Sequence, residues 1–237
     1  MIRSFFLSVR ACLFYPFYVV SLIVYACICL VVGMFLPIIP RYRFFLIWNR
    51  MVLWWLKVTC GITHEIIGRE NVPPAPYVVL SNHQSPWETL YLYVLFMPIC
   101  ATLKQELLRI PFFGWSLMML KPIAIDRSKT REARQTLLNE GPKRIAEGIS
   151  VLVFPEGTRV DPDKQKRYTS GGAELAIEAK TIIIPVAHNA GHYWPAHKLI
   201  KHPGTIRVII GKPIETAGRE PRELTQQVEN WIRSQFS

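Results

Sequence analysis

The chain predicts an α/β fold, a mixed sheet flanked by helices, preceded by an N-terminal two-helix membrane-binding segment. Three observations carry that expectation. From about residue 77 onward, short β-branched runs alternate with amphipathic stretches, the pattern of a sheet covered on both faces. No charged residue stands between Arg10 and Arg41, and no acidic residue precedes Glu65, although Arg3, Arg10, Arg41, Arg43, Arg50 and Lys57 all do. The composition agrees: 50% hydrophobic and 19% charged residues in 237 make the chain too apolar for disorder and too mixed for a polytopic membrane protein.

The uncharged N-terminal stretch, as a helix, would be about 45 Å long against a bilayer core of roughly 30 Å. Pro16 and Pro37 are expected to limit it to residues 17–36, and the absence of a small-residue cleavage site marks it as retained. Whether it crosses the bilayer or turns back within one leaflet is open at this level. In residues 41–59, Arg43, Arg50 and Lys57 recur every seven residues, one narrow basic stripe on an otherwise apolar helix. Such a helix suits the membrane interface, with Trp48, Trp54 and Trp55 at headgroup depth and the stripe on lipid phosphates. Packing as a buried core helix with snorkelling cations is the alternative. The chain therefore divides into residues 1–64, membrane-associated, and residues 65–237.

Beyond a Pro-rich joint at 72–76, a strand is expected at 77–80 and a helix at 86–96. Next come a short strand at 123–125, a helix over 130–148 kinked near Gly141 and Pro142, and a strand at 151–154. Gly171 and Gly172 open another helix, strands follow at 182–187 and 206–210, and Leu224, Val228, Trp231 and Ile232 mark the apolar face of a last helix. Pro185 predicts an edge position or a strand end for the 182–187 strand.

A formal charge of +11 calls for an anionic partner. Nucleic acid is disfavoured, because six basic residues lie in the membrane-like segment and no nucleic-acid motif is present. Five scattered cysteines suggest neither a disulfide framework nor a zinc site. His188 and His192 are four apart, but no Glu lies between them to support a zinc-protease helix. There is no G-x-S-x-G elbow, Walker loop or G-x-G-x-x-G turn, so no covalent intermediate is suggested.

Four segments can carry chemistry. In Asn82-His83-Gln84-Ser85-Pro86-Trp87-Glu88, at a strand end, Ser85 and Glu88 are spaced as a capping box. The same turn brings an imidazole, with a pKa near neutrality, beside a carboxylate able to hold its tautomer. Phe154-Pro155-Glu156-Gly157-Thr158-Arg159 runs from an apolar strand into a glycine turn ending in a guanidinium, a group that grips phosphate. Lys104, Lys121 and Arg127 lie between these motifs and can line the same pocket. The aromatic stretch from Lys104 to Trp115 suits either a binding loop beside an acyl chain or packing against the membrane helices. Ile184-Pro185-Val186 lies in a core strand.

In order and spacing, these four blocks resemble the glycerolipid acyltransferase family, specifically the bacterial acyltransferases that act on 1-acyl-glycerol-3-phosphate. The resemblance spans roughly residues 65–215. It departs at one position: the family's first block usually has Asp five residues after the His, where this chain has Glu88. The resemblance implies acyl transfer from acyl-CoA or acyl carrier protein to the free hydroxyl of a lysophospholipid, lysophosphatidate in particular, giving phosphatidate. It implies His83 as base with Glu88 orienting it, and a substrate site drawn from Lys104, Arg127, Glu156, Gly157, Thr158 and Arg159. It also implies no cofactor and no metal, and a catalytic part on the cytoplasmic side of a bilayer, the inner membrane in a bacterium. A different lysolipid acceptor, or a non-catalytic protein that binds anionic lipid, would share the charge and the Trp-rich helix.

Overall fold

The computed structural model describes residues 2–236, with side chains from residue 5 onward; Met1 and Ser237, the outer limits of the two expected divisions, lie outside it. Helix α1 (Ile2–Gly33) and helix α2 (Ile38–Cys60) form an antiparallel pair turning at Pro37. Pro16 does not limit α1, which runs through it. A proline inside a helix loses one hydrogen bond. Here contacts on either side offset that loss: Phe14 packs edge-on against Trp194 at 5.2 Å, and Phe17 meets Trp55 at 4.9 Å.

The pair has two unlike faces. Phe14, Tyr42, Leu46, Val52 and Leu56 are buried against the rest of the chain, whereas Val20, Ile23, Val31 and Phe35 are exposed. Within α1, Phe5–Gly33 is long and apolar enough to cross a membrane, with a mean hydropathy of 2.3 and only 17% of its most apolar window buried. Arg43, Arg50 and Lys57 are all exposed, as the stripe requires. Trp48 corrects the expectation of headgroup depth, because it is buried between the helices and its Nε1 donates to Ser21 Oγ at 3.1 Å. Trp54 is exposed and Trp55 half-buried.

The rest of the chain builds one seven-stranded sheet: β1 (Ile62–Ile67), β2 (Val78–Ser81), β3 (Ile99–Lys104), β4 (Ile123–Ile125), β5 (Ser150–Val153), β6 (Ile183–His188) and β7 (Gly204–Ile210). Their order is β1-β7-β6-β2-β5-β3-β4. All neighbours are parallel except β6 and β7. Every residue of β2, β5 and β6 is buried, as parallel strands covered on both faces must be. The boundary expected near residue 65 falls inside β1, which pairs with β7 from Ile62↔Gly204 to Ile67↔Ile209.

Helices α3 (Pro86–Leu95), α4 (Phe113–Met118), α5 (Thr130–Ala146), α6 (Gly171–Glu178) and α7 (Pro221–Ser234) flank the sheet. Helix α5 contacts α6, and α6 contacts α7, along one layer. Helix α3 packs on β1 through the stacked pair Trp87 and Tyr91 beside His64, and takes a hydrogen bond from Asn49 of α2 to the Leu90 carbonyl. Contact with α1 holds α4 in place, and Tyr42 of α2 donates to the Leu120 carbonyl at 2.7 Å. The aromatic stretch thus packs against the N-terminal helices and also puts Leu107 and Phe113 on the wall of the cavity described below.

Pro185 is not on an edge strand, because β6 lies between β2 and β7. Its position still obeys the rule behind that expectation. The Pro185 carbonyl accepts from Gly211 N–H, so the missing N–H also faces the β7 side. There the register slips by one residue between Val186↔Ile210 and Ile183↔Ile214, a bulge that needs no donor from Pro185.

Candidate active site

Five adjacent parallel strands, β6-β2-β5-β3-β4, all end on the same side of the sheet. Their carboxyl ends deliver His188, the turn containing His83, the turn containing Arg159, Lys104 and, two residues past β4, Arg127. Open parallel sheets bind ligands at this edge because the connections there diverge. Residues far apart in sequence converge for that topological reason alone.

At the end of β2 the chain enters α3 through a complete capping box: Ser85 Oγ accepts from the first turn of the helix and Glu88 Oε1 accepts from Ser85 N–H at 2.9 Å. The cap does not exhaust Glu88. The same Oε1 accepts from Gln84 N–H at 3.1 Å and lies 2.7 Å from His83 Nδ1. Capping and orienting the imidazole are therefore one arrangement. Burial alone pushes the Glu88 carboxyl up, but His188, the hydrogen bond and charge of His83, and the Ser85 N–H together outweigh it and hold the group below its ordinary range. An ionised carboxylate can only accept, so His83 Nδ1 carries the proton and Nε2 keeps the free lone pair.

Burial also lowers the His83 pKa; Glu88 opposes this, while Arg159 and Arg127 reinforce it. The ring is therefore neutral near pH 7, the state a general base needs. It stacks on Phe154 with centroids 4.0 Å apart and planes 14° apart, so the residue just past β5 supplies a flat wall that fixes its orientation.

Two further groups brace this turn. Glu156 Oε2 accepts from His83 N–H at 3.0 Å, and Val160 N–H donates to the His83 carbonyl at 2.7 Å, so the segment after β5 grips His83 by its backbone. The Glu156 pKa is pushed up to about 7, chiefly by burial, with Glu88 adding to the shift. On the other flank, Asn82 clamps His188: its Nδ2 donates to the His188 carbonyl at 2.8 Å and its Oδ1 accepts from His188 N–H at 3.0 Å. The His188 ring is fully buried, with Nε2 2.8 Å from the Asn82 carbonyl and 3.9 Å from Glu88 Oε2. Sequence reasoning gave Asn82 and His188 no part in this network. The one available signal was that each stands at the end of an apolar run, and it does not say which strands are neighbours.

His83 opens onto a cavity of about 480 Å³. Lys104, Arg127 and Arg159 line it together with apolar residues, among them Tyr18 and Leu22 of α1, Phe45 and Leu46 of α2, and Leu107 and Phe113 of the aromatic stretch. Arg127 and Arg159 each bury an Nε with no hydrogen-bond partner among the described residues. Lys104 is half-exposed and pairs with Glu106 at 3.3 Å. The structure thus brings together His83, Glu88, Lys104, Arg127 and Arg159. It does not place Glu156, Gly157 or Thr158 on the cavity wall: Glu156 is buried beneath the turn, and Gly157 and Thr158 are exposed beyond it. Gly157 adopts φ +71, which a side chain would strain, and its N–H is already given to the Phe154 carbonyl. It is thus no free donor for an oxyanion. Lys121, also considered for the pocket, pairs with Glu147 at 2.7 Å away from the cavity.

A buried imidazole backed by a carboxylate thus faces a cavity lined by two guanidinium groups and by residues of both N-terminal helices, an arrangement able to take a proton beside an anionic group. Comparison with known proteins makes that chemistry specific. Residues 63–189 match the Acyltransferase family model. The chain is 43% identical over 229 residues, 95% of its length and 89% of the relative's, to the 1-acyl-sn-glycerol-3-phosphate acyltransferase of Pseudomonas aeruginosa. It is 33% identical over 68% of its length to the enzyme of that name from Saccharomyces cerevisiae, of which it spans 54%. The crystal structure of the 1-acyl-sn-glycerophosphate (LPA) acyltransferase PlsC from Thermotoga maritima shares the fold, with a TM-score of 0.78 over 95% of this chain and 92% of that one at 22% identity. This chain belongs to the Acyltransferase family, and it is an acyltransferase with a membrane-binding N-terminal helix.

Proposed function

We propose that the enzyme transfers a fatty acyl group from a thioester, on coenzyme A or acyl carrier protein, to the free hydroxyl of lysophosphatidate, forming phosphatidate. The observation that carries this reading is that one cavity holds the His83–Glu88 pair, two guanidinium groups whose Nε lacks a partner among the described residues, and an apolar wall to which both N-terminal helices contribute. The names of the relatives point the same way.

In this reading the acceptor's phosphate sits against Arg127 and Arg159, with Lys104 at the rim, and its acyl chain lies along α1 and α2. His83 Nε2 takes the hydroxyl proton as the oxygen attacks the thioester carbonyl, forming the C–O bond. Glu88 stabilises the imidazolium. The tetrahedral intermediate then collapses, the C–S bond breaks, and the imidazolium returns the proton to the leaving sulfur as free thiol. Glu156, Gly157 and Thr158 act indirectly, by shaping the turn that presents Arg159 and holds His83. The exposed apolar face of α1 and the basic stripe of α2 seat the helical part, residues 1–64, in the bilayer. Residues 65–237 stay on the cytoplasmic side, where thioester carriers are dissolved, at the inner membrane in a bacterium. β1 joins the two parts.

The test is product identification by mass spectrometry after incubation of the purified protein with a panel of lysolipids and an acyl-CoA or acyl-carrier-protein donor. Phosphatidate should form from lysophosphatidate at least tenfold faster than any product from a lysolipid whose phosphate is capped by a headgroup. Equal turnover of a capped lysolipid would overturn the acceptor assignment.

A further inference from the structure

A second cavity, of about 410 Å³, adjoins the first and shares Arg159 with it. Its walls are the segment after the glycine turn, with Asp161, Lys164 and Lys166, and a short piece at Pro195 to His197. Three permanent cations and an imidazole therefore face a single carboxylate. No salt bridge to Lys164 or Lys166 is formed among the described residues. The segment is nonetheless held in place: Val160 N–H bonds the His83 carbonyl, Lys164 N–H bonds the Asp161 carbonyl, Arg233 donates to the Lys166 carbonyl at 3.2 Å, and Pro162 packs against Gly191.

The two cavities differ in what they can admit. Nine of the residues lining the first belong to α1 and α2, which gives a lipid held by those helices a way in; among the described residues the second has none of either helix on its wall. A transferase that joins a lipid to a water-soluble thioester must receive its two substrates from phases of opposite polarity. Both carriers considered above present the thioester on a phosphorylated pantetheine arm, whose phosphate is the chemical element they share. We propose that the cavity lined by Arg159, Lys164, Lys166 and His197 binds the phosphate of the acyl donor's phosphopantetheine arm and leads the thioester past Arg159 to His83. This rests on the acyl-transfer reading above and adds to it the route of the donor. Arg159 then stands between two anions, which explains why one guanidinium lines both cavities.

The experiment compares acyl-phosphopantetheine with acyl-pantetheine, which lacks only the phosphate, in the wild-type protein and in the double variant Lys164→Glu, Lys166→Glu. The wild type should prefer the phosphorylated donor by about tenfold or more in kcat/KM, the scale of one charge-assisted contact. In the double variant that ratio should fall towards one, while KM for lysophosphatidate stays within twofold. Acyl-CoA and acyl carrier protein as parallel donors tell whether nucleotide or protein carriers use the site, because each KM should rise only where the carrier reaches it. A preference ratio equal in the two proteins overturns the proposal, as does a loss of binding to anionic vesicles in the double variant with donor kinetics unchanged. That second outcome would make the segment a lipid-surface patch. Failure of the acyl-transfer reading itself looks different: the wild type would then turn over neither donor.

Discussion

On one side of the cavity, His83, Glu88 and Glu156 are joined by hydrogen bonds that are already made: Nδ1 to Oε1 at 2.7 Å, the turn's N–H groups to the same oxygen, and His83 N–H to Glu156 at 3.0 Å. On the other side, Arg127 and Arg159 each keep a buried Nε with no partner among the described residues. The first side already holds the His83 ring in place, although Glu88 Oε2 also lacks a hydrogen-bond partner among the described residues, with His188 Nε2 3.9 Å away; the second leaves two buried donors for an anion to meet. A buried donor left unpaired costs about 1–3 kcal/mol, so an anion that supplies the missing acceptor recovers energy the empty fold has forgone. In the proposed reaction, folding therefore orients the base, and binding of the acceptor satisfies the arginines.

The comparison breaks most visibly at Glu88. In Glu88→Gln the amide oxygen can still accept from Ser85 N–H, so the cap of α3 persists. The neutral amide oxygen can still accept from Nδ1–H, but it does not stabilise the imidazolium that forms on proton transfer. A fall in kcat of roughly 10²–10⁴-fold is expected, the range seen when a carboxylate that orients a catalytic His is made neutral. Thermal unfolding should move by only a few degrees. A folded Gln variant of near wild-type activity would reduce Glu88 to a helix cap.

Next in size is the cationic side. Arg127→Ala should lower kcat/KM for lysophosphatidate by about 10- to 100-fold, the worth of a hydrogen bond to a charged group, with a smaller change for the thioester. It has a second consequence, because the Arg127 charge helps hold the His83 pKa down. His83 works in its neutral form, so activity falls as pH drops through its pKa. Removing Arg127 should therefore move the acidic limb of the rate profile to higher pH. An unmoved limb, or equal losses for acceptor and donor, would take Arg127 out of the site.

Much of this was legible in the sequence, and the parts that were not share a cause. His83, Glu88 and Ser85 lie within one turn, where spacing alone implies contact, and Glu88 meets the ring at 2.7 Å despite the methylene by which it departs from the family's Asp. Strands at 78–81, 150–153 and 183–188 stood out as β-branched runs. Strand order did not, because pairing of β2 with both β5 and β6 depends on residues about 70 and 105 positions apart. Hence Asn82 and His188 went unrecognised as partners. Strand β1 was missed because His64 and Glu65 break its alternation, and β3 because Ile99 to Lys104 follows a helix end directly. Glu156 was read with its motif as a substrate contact, since nothing local says that a carboxylate in a glycine turn faces inward. Deleting residues 1–60, the direct test of a helical anchor, is also ruled out by the fold. Phe14, Tyr42, Leu46 and Leu56 belong to the core, so charged substitutions at exposed Val20 and Ile23 are the cleaner probe of membrane binding.

The smallest effect sharpens the comparison most, because Glu156 belongs to the side that folding has completed, yet it lies within the segment that presents Arg159. Its pKa of about 7 in the fold exceeds the value near 4.3 of an unfolded chain. The native state therefore holds a proton that the unfolded chain releases between those values. The resulting stabilisation is full below about pH 4.3 and is lost as pH rises through 7, a change of at most about 3.7 kcal/mol. Glu156→Gln keeps an acceptor for His83 N–H without that titration. Relative to wild type its thermal midpoint should rise progressively from pH 5 to pH 8, with activity within about threefold. Glu156→Ala frees the His83 backbone and should lose about tenfold in kcat, with KM for lysophosphatidate unchanged. If either variant instead raised that KM as much as Arg127→Ala does, Glu156 would be reaching the substrate, and the division between a side made by folding and a side made by binding would fail at this residue.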